Sequence, residues 1–437
     1  MRKKYVWWSL AAVVTAGAVG TTAALGVITQ REYADLGHGQ AFALNAPQAP
    51  VEPVSSEGEH GNVDRGALRG RLDAVANESR LGNFGGQVID TTDGQVVWDR
   101  EADKALLPAS STKVLTSAAA VLELGEDHRV ETTVVREPGS DAVVIQAGGD
   151  VWLDAERLDD LAAQISRRAA ESQGGEINTV LIDVSAWEGP DQAEGWDPGN
   201  VDGGFSAPMQ PAMLYGARLG STSGDVPRSH QPALDVARAL AGRLGAQNVQ
   251  IGSSPQRAEE IAAVESAPLS VRNQQMVKFS DNVAAEAIGR ELAAARGLPA
   301  SFSGATQATL DVLRESGIDT NNVRILDNSG LSERNRIPAR VLSSIIAKAV
   351  ADENWRPVTG YLPVAGGEGT LNERYGNLPG QGYVRAKTGT LTSTSALVGT
   401  AVGQSGRIYA FAFLVNNGEI LPARAGQDAL ASTLRQF

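Results

Sequence analysis

LLPASSTKVLT occupies residues 106–116, where a connection that ends at Pro108 gives way to a helix. Apolar residues at helical spacing predict a buried amphipathic helix from Ser110 to about Leu124. Positions three residues apart share a helix face, so the Ser110 hydroxyl and the Lys113 amine come within hydrogen-bonding reach. Free N–H groups at a helix start also favour a developing oxyanion. The stretch predicts a serine nucleophile beside a lysine base, although a single Ser-x-x-Lys is more often an ordinary capped helix.

The few lysines of this chain support that interpretation. Only 7 of its 38 basic residues are Lys, so arginine is the default cation. Unlike arginine, a lysine can lose its proton and act as a base. Beyond the N-terminus, Lys113 alone has a serine three residues before it; the other lysines there are Lys104, Lys278, Lys348 and Lys387.

Composition and missing motifs exclude several function classes. The formal charge is −13 and no basic run follows Arg2-Lys3-Lys4, so a nucleic-acid partner is not expected. Without cysteine there is no disulfide, thiolate zinc site or cysteine nucleophile. The histidines lack the spacing of metal ligands. A Ser-His-Asp relay would have to use His128 or His230, and the Gly-x-Ser-x-Gly elbow that often accompanies such a relay does not occur. A P-loop for nucleotide phosphates is absent from the sequence as well. We therefore expect no metal and no cofactor.

Two further motifs follow the first in a fixed order. Ser280-Asp281-Asn282 begins 170 residues after Ser110, and Lys387-Thr388-Gly389-Thr390 comes later, before two strand-like segments. Ser-x-x-Lys, Ser-Asp-Asn and Lys-Thr-Gly in this order form the signature of penicillin-binding proteins and class A β-lactamases. Together the motifs outweigh the capped-helix interpretation of the first one. For Asp281, a cap on the following helix stays open beside a catalytic role.

The strings around these motifs make the resemblance closer. From about residue 65 the chain resembles the class C low-molecular-mass penicillin-binding proteins, the D-alanyl-D-alanine carboxypeptidase/endopeptidase family of the penicillin-recognising serine enzymes. The resembling strings are LLPASSTKVLT (106–116), GGD (148–150), SAPM (206–209), MVKFSDN (276–282), DNSGLS (327–332), LPVAGGEGTL (362–371) and AKTGTLT (386–392). The resemblance implies a β-lactamase/transpeptidase-like fold with a smaller inserted α/β domain.

The residues themselves predict an α+β fold. The Asp93-Gly94 turn between strands 84–90 and 95–98 begins it, helices follow, including a long one from about residue 269 to 295, and strands 396–402 and 408–415 end it. This order predicts one antiparallel sheet built from both chain ends and flanked by helices. With the insertion that the resemblance implies, residues 64–128 and 257–437 form the DD-peptidase domain and residues 129–256 the inserted domain.

The N-terminus predicts export. A basic start precedes 24 uncharged residues, Tyr5 to Ile28, which is long enough to cross a bilayer. Residues 1–30 are thus a signal anchor or a cleaved signal peptide, and residues 31–63, rich in Pro, Gly, Ser and acidic residues, a flexible linker. Either alternative places the protein outside the cytoplasm, attached to the membrane or secreted.

The resemblance also implies a function and a role for each motif residue. The protein would be a serine DD-peptidase that cleaves the terminal D-Ala-D-Ala bond, and D-Ala cross-links as well, in peptidoglycan stem peptides, with β-lactams as covalent inhibitors. Ser110 would attack the carbonyl carbon, with Lys113 as the base, its pKa lowered by burial and by Lys387. The catalytic residues implied are Ser110, Lys113, Ser280 and Asn282, and the substrate-binding residues are Lys387, Thr388, Gly389 and Thr390.

Two alternatives remain. A β-lactamase or serine esterase on the same scaffold would differ in how fast the acyl-enzyme is hydrolysed. No motif matches the deacylating glutamate of class A β-lactamases, although Glu368 and Glu373 stay candidates for that role. A catalytically inactive cell-wall-binding scaffold is the second alternative, against which the intact motifs count.

Overall fold

The computed structural model describes residues 63–79, 81–171 and 175–437. These residues belong to one compact unit that spans His60–Phe437. The predicted membrane segment, 1–30, and the predicted linker, 31–63 apart from Val63, lie outside the described residues. Within the described ranges, no helix combines the length and the apolar character needed to span a bilayer.

The described residues form the following strands and helices. The strands are β1 (Asn83–Asp90), β2 (Gln95–Arg100), β3 (Ala105–Leu106), β4 (Glu131–Arg136), β5 (Ala142–Gln146), β6 (Thr179–Asp183), β7 (Asn248–Ile251), β8 (Glu259–Glu265), β9 (Ile337–Pro338), β10 (Val384–Leu391), β11 (Thr394–Val402) and β12 (Ile408–Asn416). The helices are α1 (Arg65–Glu78), α2 (Lys113–Leu124), α3 (Ala155–Glu171), α4 (Pro232–Leu244), α5 (Leu269–Phe279), α6 (Asn282–Ala295), α7 (Phe302–Glu315), α8 (Ala339–Ala351), α9 (Pro357–Gly360) and α10 (Ile420–Leu434).

The first sheet joins the two ends of the described chain. Its strand order is β10-β11-β12-β1-β2, and every neighbouring pair is antiparallel. The last strand pairs with the first, with Phe411 opposite Val88. The prediction of an antiparallel sheet from both chain ends is therefore confirmed.

Helices cover both faces of this sheet. Leu72 of α1 and Leu430 of α10 share a core with Phe413 of β12 on one face. On the other face Leu115 of α2 and Leu342 of α8 belong to a second core. Burial of these apolar side chains on both faces holds β10 and α2 in fixed positions at the site described below.

The second sheet is mixed. Its order is β7-β6-β5-β4-β8, with parallel pairs β5-β6 and β6-β7 and antiparallel pairs on either side of β4. Helices α3 and α4 share a core with it through side chains such as Leu161 and Val236. Strand β8 ends at Glu265, so this sheet extends past the predicted domain boundary at residue 256. The division into two domains remains a prediction.

The structure corrects two local predictions. The long helix predicted from residue 269 to 295 is two helices, because Ser280 is left-handed (φ 61°) and ends α5, while the Asp281 carboxylate accepts the Ala284 N–H (2.8 Å) and starts α6. Helix α2 begins at Lys113 rather than Ser110, since residues 109–112 form a 3₁₀ turn. The Ser111 hydroxyl donates to the Pro108 carbonyl and closes that turn (2.7 Å).

Candidate active site

The 3₁₀ turn before α2 brings Ser110 and Lys113 together. The Lys113 Nζ lies 3.1 Å from the Ser110 Oγ. Lys113 is completely buried, whereas Ser110 lines the largest cleft of the described residues. A serine hydroxyl that faces solvent beside a buried amine has the geometry of an activated nucleophile.

Two oxygens from distant parts of the chain also contact the Lys113 amine. The Lys113 Nζ donates to the Asn282 Oδ1 at 2.6 Å and to the Ser329 carbonyl at 2.7 Å. Asn282 opens α6, and Ser329 lies in the turn Asp327–Gly330. Three segments thus converge on one amine.

Burial decides the protonation of this amine. Loss of hydration lowers the pKa of Lys113 to about 8, although the nearby carboxylates of Asp327, Asp281 and Glu286 raise it. Lys113 and Lys387 disfavour each other's positive charge, which is seen in the lowered pKa of Lys387. A substantial share of Lys113 is therefore neutral near pH 8.

Ser280 and Lys387 form a second pair beside the first. The Lys387 Nζ donates to the Ser280 Oγ at 2.8 Å and to the Thr388 carbonyl at 2.7 Å. Lys387 is completely buried, and burial, with the charge of Lys113, holds its pKa well below the usual value. The left-handed backbone at Ser280 turns its hydroxyl toward strand β10.

Asp281 and Asn282 tie this region to the segment between β6 and α4. The Asn282 Nδ2 donates to the Phe205 carbonyl at 2.8 Å. The Asp281 carboxylate is buried against Arg218 at 2.7 Å and Arg228 at 3.8 Å. Burial raises the pKa of Asp281, but Arg228 and Arg218 outweigh it, so the pKa is lowered and the residue is ionised. Asp281 thus caps α6 and anchors it, as the capping alternative predicted.

Strand β10 carries the Lys-Thr-Gly motif at the edge of the first sheet, rather than ahead of a strand pair. The Thr388 hydroxyl donates to the Thr370 Oγ1 at 2.8 Å, and the Arg424 Nη2 donates to the Thr390 Oγ1 at 2.9 Å. Gly389 has no room for a side chain, because a Cβ there would lie 2.7 Å from the Pro108 carbonyl oxygen. The strand therefore packs directly against the turn that holds Ser110.

All eight predicted site residues meet around one cleft of about 930 Å³. Five of them line it, and the other three lie directly behind it. Lys113 and Lys387 are hydrogen-bonded to lining serines, and Gly389 lies in β10 between two lining threonines. The lining residues are Ser110, Asn200, Phe205, Asp225, Phe279, Ser280, Asn282, Leu331, Thr370, Glu373, Arg374, Tyr375, Thr388, Thr390, Leu391, Leu421, Arg424, Ala425 and Asp428. No cluster of three His, Asp or Glu side chains suited to a metal ion occurs in the part of the chain that the structure describes.

Sequence reasoning missed three contributors to this site. The Ser329 carbonyl is a backbone atom, and only the string DNSGLS pointed to its segment. Arg424 lies in the last helix with no motif around it. Thr370 was quoted within LPVAGGEGTL but given no role. The only sequence signal for Arg424 is that it is a cation. In an Arg-rich chain, residue type alone is too weak to assign it to the site.

Comparison with known proteins agrees with this geometry. The sequence profile of the D-Ala-D-Ala carboxypeptidase 3 (S13) family matches residues 68–226 and 220–437. The chain belongs to this family. The S13 match takes in all three motifs and both sheets, so the resemblance inferred from the motifs is confirmed.

Individual S13 relatives cover most of the chain. Carboxypeptidase DacB of Mycolicibacterium smegmatis is 41% identical over 395 residues, which are 85% of this chain and 84% of the relative. The D-alanyl-D-alanine carboxypeptidase of Actinomadura sp. strain R39 is 30% identical in an alignment that is 466 positions long, gaps included, and covers 85% of each chain. Penicillin-binding protein 4 of Haemophilus influenzae has a similar fold, with a TM-score of 0.71 and 22% identity over 83% of this chain and 98% of its own.

Proposed function

We propose that Ser110 is the nucleophile of a serine DD-peptidase that cleaves the terminal D-Ala-D-Ala bond of peptidoglycan stem peptides. The observation that carries the proposal is the Lys113 Nζ at 3.1 Å from the Ser110 Oγ, on a lysine whose pKa is lowered to about 8. The neutral amine takes the Ser110 proton as the oxygen attacks the carbonyl of the penultimate D-Ala. The terminal D-Ala leaves, and water then hydrolyses the acyl-enzyme.

Ser280 is placed to protonate the leaving amine. Its hydroxyl accepts a hydrogen bond from the Lys387 Nζ at 2.8 Å, so its own hydrogen is free to point into the cleft. Asn282 holds Lys113 through its oxygen. We propose that Asn282 also contacts the substrate amide.

Strand β10 supplies the binding edge. It is the outermost strand of the first sheet, and Val364 bridges its edge at Arg385, so the substrate can lie along the edge beyond that bridge as an added strand. We propose that the N–H groups of Ser110 and Thr390 form the oxyanion hole, while Lys387 and Thr388 attract the terminal carboxylate. Gly389 lets the substrate lie close, and Arg424, bonded to Thr390, adds a second cation for the carboxylate.

The cleft also favours cleavage of D-Ala cross-links. It continues past Thr390 to Leu421 and Arg424, which leaves space beyond the scissile bond. Where the third residue of the stem peptide is a diaminopimelate, the leaving group of a cross-link carries a carboxylate next to its amine, as free D-Ala does, so the same cations suit both. We further propose an extracytoplasmic protein, attached through residues 1–30 or released by cleavage there; N-terminal sequencing of the mature protein tests this.

The decisive experiment is intact mass measured over time after penicillin is added to the full-length chain, with Ser110→Ala as the control. We expect a persistent adduct on Ser110 in the wild type, none in the variant, and release of D-Ala from a D-Ala-D-Ala peptide by the wild type alone. No adduct and no D-Ala release would leave an inactive scaffold.

A transient adduct with turnover of the drug would favour a β-lactamase instead. Of the two glutamates considered for that role, Glu368 accepts a hydrogen bond from the Lys278 Nζ at 2.9 Å, whereas Glu373 lines the cleft. Glu373→Gln would then abolish drug turnover if Glu373 activated the deacylating water.

A further inference from the structure

The hydrogen-bond partners of Lys113 determine where its lone pair points. A neutral amine has two hydrogens and one lone pair. The Asn282 Oδ1 at 2.6 Å and the Ser329 carbonyl at 2.7 Å accept both hydrogens. The lone pair is then left for the Ser110 hydroxyl at 3.1 Å. The Ser329 carbonyl therefore orients the base, although it never contacts the substrate.

The position of this carbonyl depends on a turn that Glu286 holds from α6. The Glu286 Oε1 accepts the N–H of Asn328 at 3.0 Å and the N–H of Ser329 at 2.8 Å. Glu286 is completely buried and is absent from the cleft lining. One carboxylate thus fixes two successive peptide units, and the unit that follows them presents the Ser329 carbonyl to Lys113.

The same turn packs against the nucleophile. Gly330 has a φ of +85°, and a Cβ there would lie 1.9 Å from the Ala109 carbonyl oxygen. Thr112, in the same 3₁₀ turn, would also be within 2.8 Å of that Cβ. A displacement of the turn Asp327–Gly330 would be transmitted to Ser110 as well as to Lys113.

The charge of Glu286 has no local ion-pair partner. Among the described residues, no basic nitrogen lies within 4.0 Å of its carboxylate. Burial and the neighbouring Asp327 raise the pKa of Glu286 to about 7, against Arg290 of the same helix, which lowers it. Lys113 of α2 is the other charged group that faces it. Burying an unpaired carboxylate is costly, and the hydrogen bonds from the two N–H groups offset part of that cost.

We propose that Glu286 is a positioning residue for acylation: by holding the N–H groups of Asn328 and Ser329, it keeps the Ser329 carbonyl on Lys113 and aims the amine at Ser110. The role rests on the proposed function of Ser110 and Lys113. Glu286 touches neither the substrate nor the reacting atoms, and it acts through the turn.

Three variants separate this role from a general effect on folding. Glu286→Gln keeps the shape and one acceptor oxygen but removes the charge, and its NH₂ group, in the place of Oε2, would lie 3.2 Å from the Asn328 nitrogen with donor facing donor. Glu286→Asp keeps the charge but withdraws it from the turn by one methylene. Glu291→Gln is the matched control, because Glu291 is the next glutamate of α6, is also buried, and pairs with Arg272 and His128 instead.

The measurement is the acylation rate of the full-length chain by a fluorescent penicillin, at saturating drug, between pH 5.5 and 9.5. We expect Glu286→Gln to lower the maximum rate about 10-fold or more, as small misplacements of catalytic groups do, with drug affinity before acylation unchanged. On the acidic side of the pH profile, the rate of this variant falls at a lower pH than that of the wild type. The reason is that Lys113 loses a nearby anion, which lowers its pKa. Glu286→Asp lowers the maximum rate but leaves the pH profile in place. Glu291→Gln matches the wild type in its maximum rate and in its pH profile.

The outcomes distinguish the two proposals. Wild-type protein without an adduct on Ser110 would refute the proposed function and, with it, a role for Glu286 in acylation. Labelling of the wild type together with undiminished rates and an unmoved pH profile in Glu286→Gln would refute the positioning role alone. An equal loss in Glu291→Gln would refute it too. If Glu286→Gln does not fold, as judged by thermal unfolding, Glu286→Asp decides, and a wild-type rate in that variant refutes the proposal.

Discussion

The acylation rate should follow the neutral fraction of Lys113. With its pKa lowered to about 8 by burial, about 9% of this amine is neutral at pH 7 and about 91% at pH 9. Only the neutral form can accept the Ser110 proton, so acylation should accelerate about 10-fold between these pH values. At pH 7, the neutral fraction of a lysine with the unshifted pKa of 10.5 would be about 300-fold smaller. Burial therefore increases the amount of usable base by that factor.

Stopped-flow measurement with a fluorescent penicillin from pH 6 to 9.5 tests this directly. Lys113→Arg supplies the control, because the charge stays but the guanidinium cannot lose its proton at these pH values. We expect that variant to acylate about 100- to 10,000-fold more slowly, the usual contribution of a general base. A flat pH profile in the wild type, or full activity of Lys113→Arg, would refute the assignment of Lys113 as the base.

Three more predictions follow from contacts in the site. Gly389→Ala should slow acylation at least about 10-fold, since its Cβ would lie 2.7 Å from the Pro108 oxygen. In the control Gly376→Ala, the Cβ has no neighbour within 4 Å, and this variant should acylate at the wild-type rate in the same assay. Asp281→Ala should lower the free energy of unfolding in urea by about 3–5 kcal/mol, because two buried arginines lose their partner; a loss below 1 kcal/mol would contradict this. Arg424→Gln should raise KM for a D-Ala-D-Ala peptide but not for its C-terminal amide, and equal effects on both would exclude carboxylate binding.

The sequence predicted those parts of the molecule whose chemistry depends on residue type and order. The motifs name the side chains of Ser110, Lys113 and Asn282, which lie in hydrogen-bond contact in the structure. The first sheet was predictable because strand-like segments stand at both ends of the chain. The hairpin around Gly94 was predictable from its turn chemistry, which needs a positive φ at that glycine.

Contacts made by backbone atoms or across long sequence separations were not predictable in this way. The break at Ser280 was missed, since apolar spacing continues through it and only the left-handed φ ends α5. The carbonyl of Ser329 carries no signal in its own side chain. Arg424 reaches Thr390 only because α10 packs on the first sheet, and tertiary packing of that kind leaves no local pattern.

The pairing of β1 with β12 has a consequence for how the protein reaches its folded state. Val88 pairs with Phe411, which leaves the ribosome 323 residues later, so the centre of the first sheet cannot close until residue 411 has been made. Contacts this distant in sequence make folding slow, because a long loop must be closed before the pairing stabilises it. Until then Ser110, in the 3₁₀ turn, and Lys113, at the start of α2, can lie side by side, but β10 has no sheet to join. The growing chain therefore lacks a complete site until all the strands of the first sheet have been made.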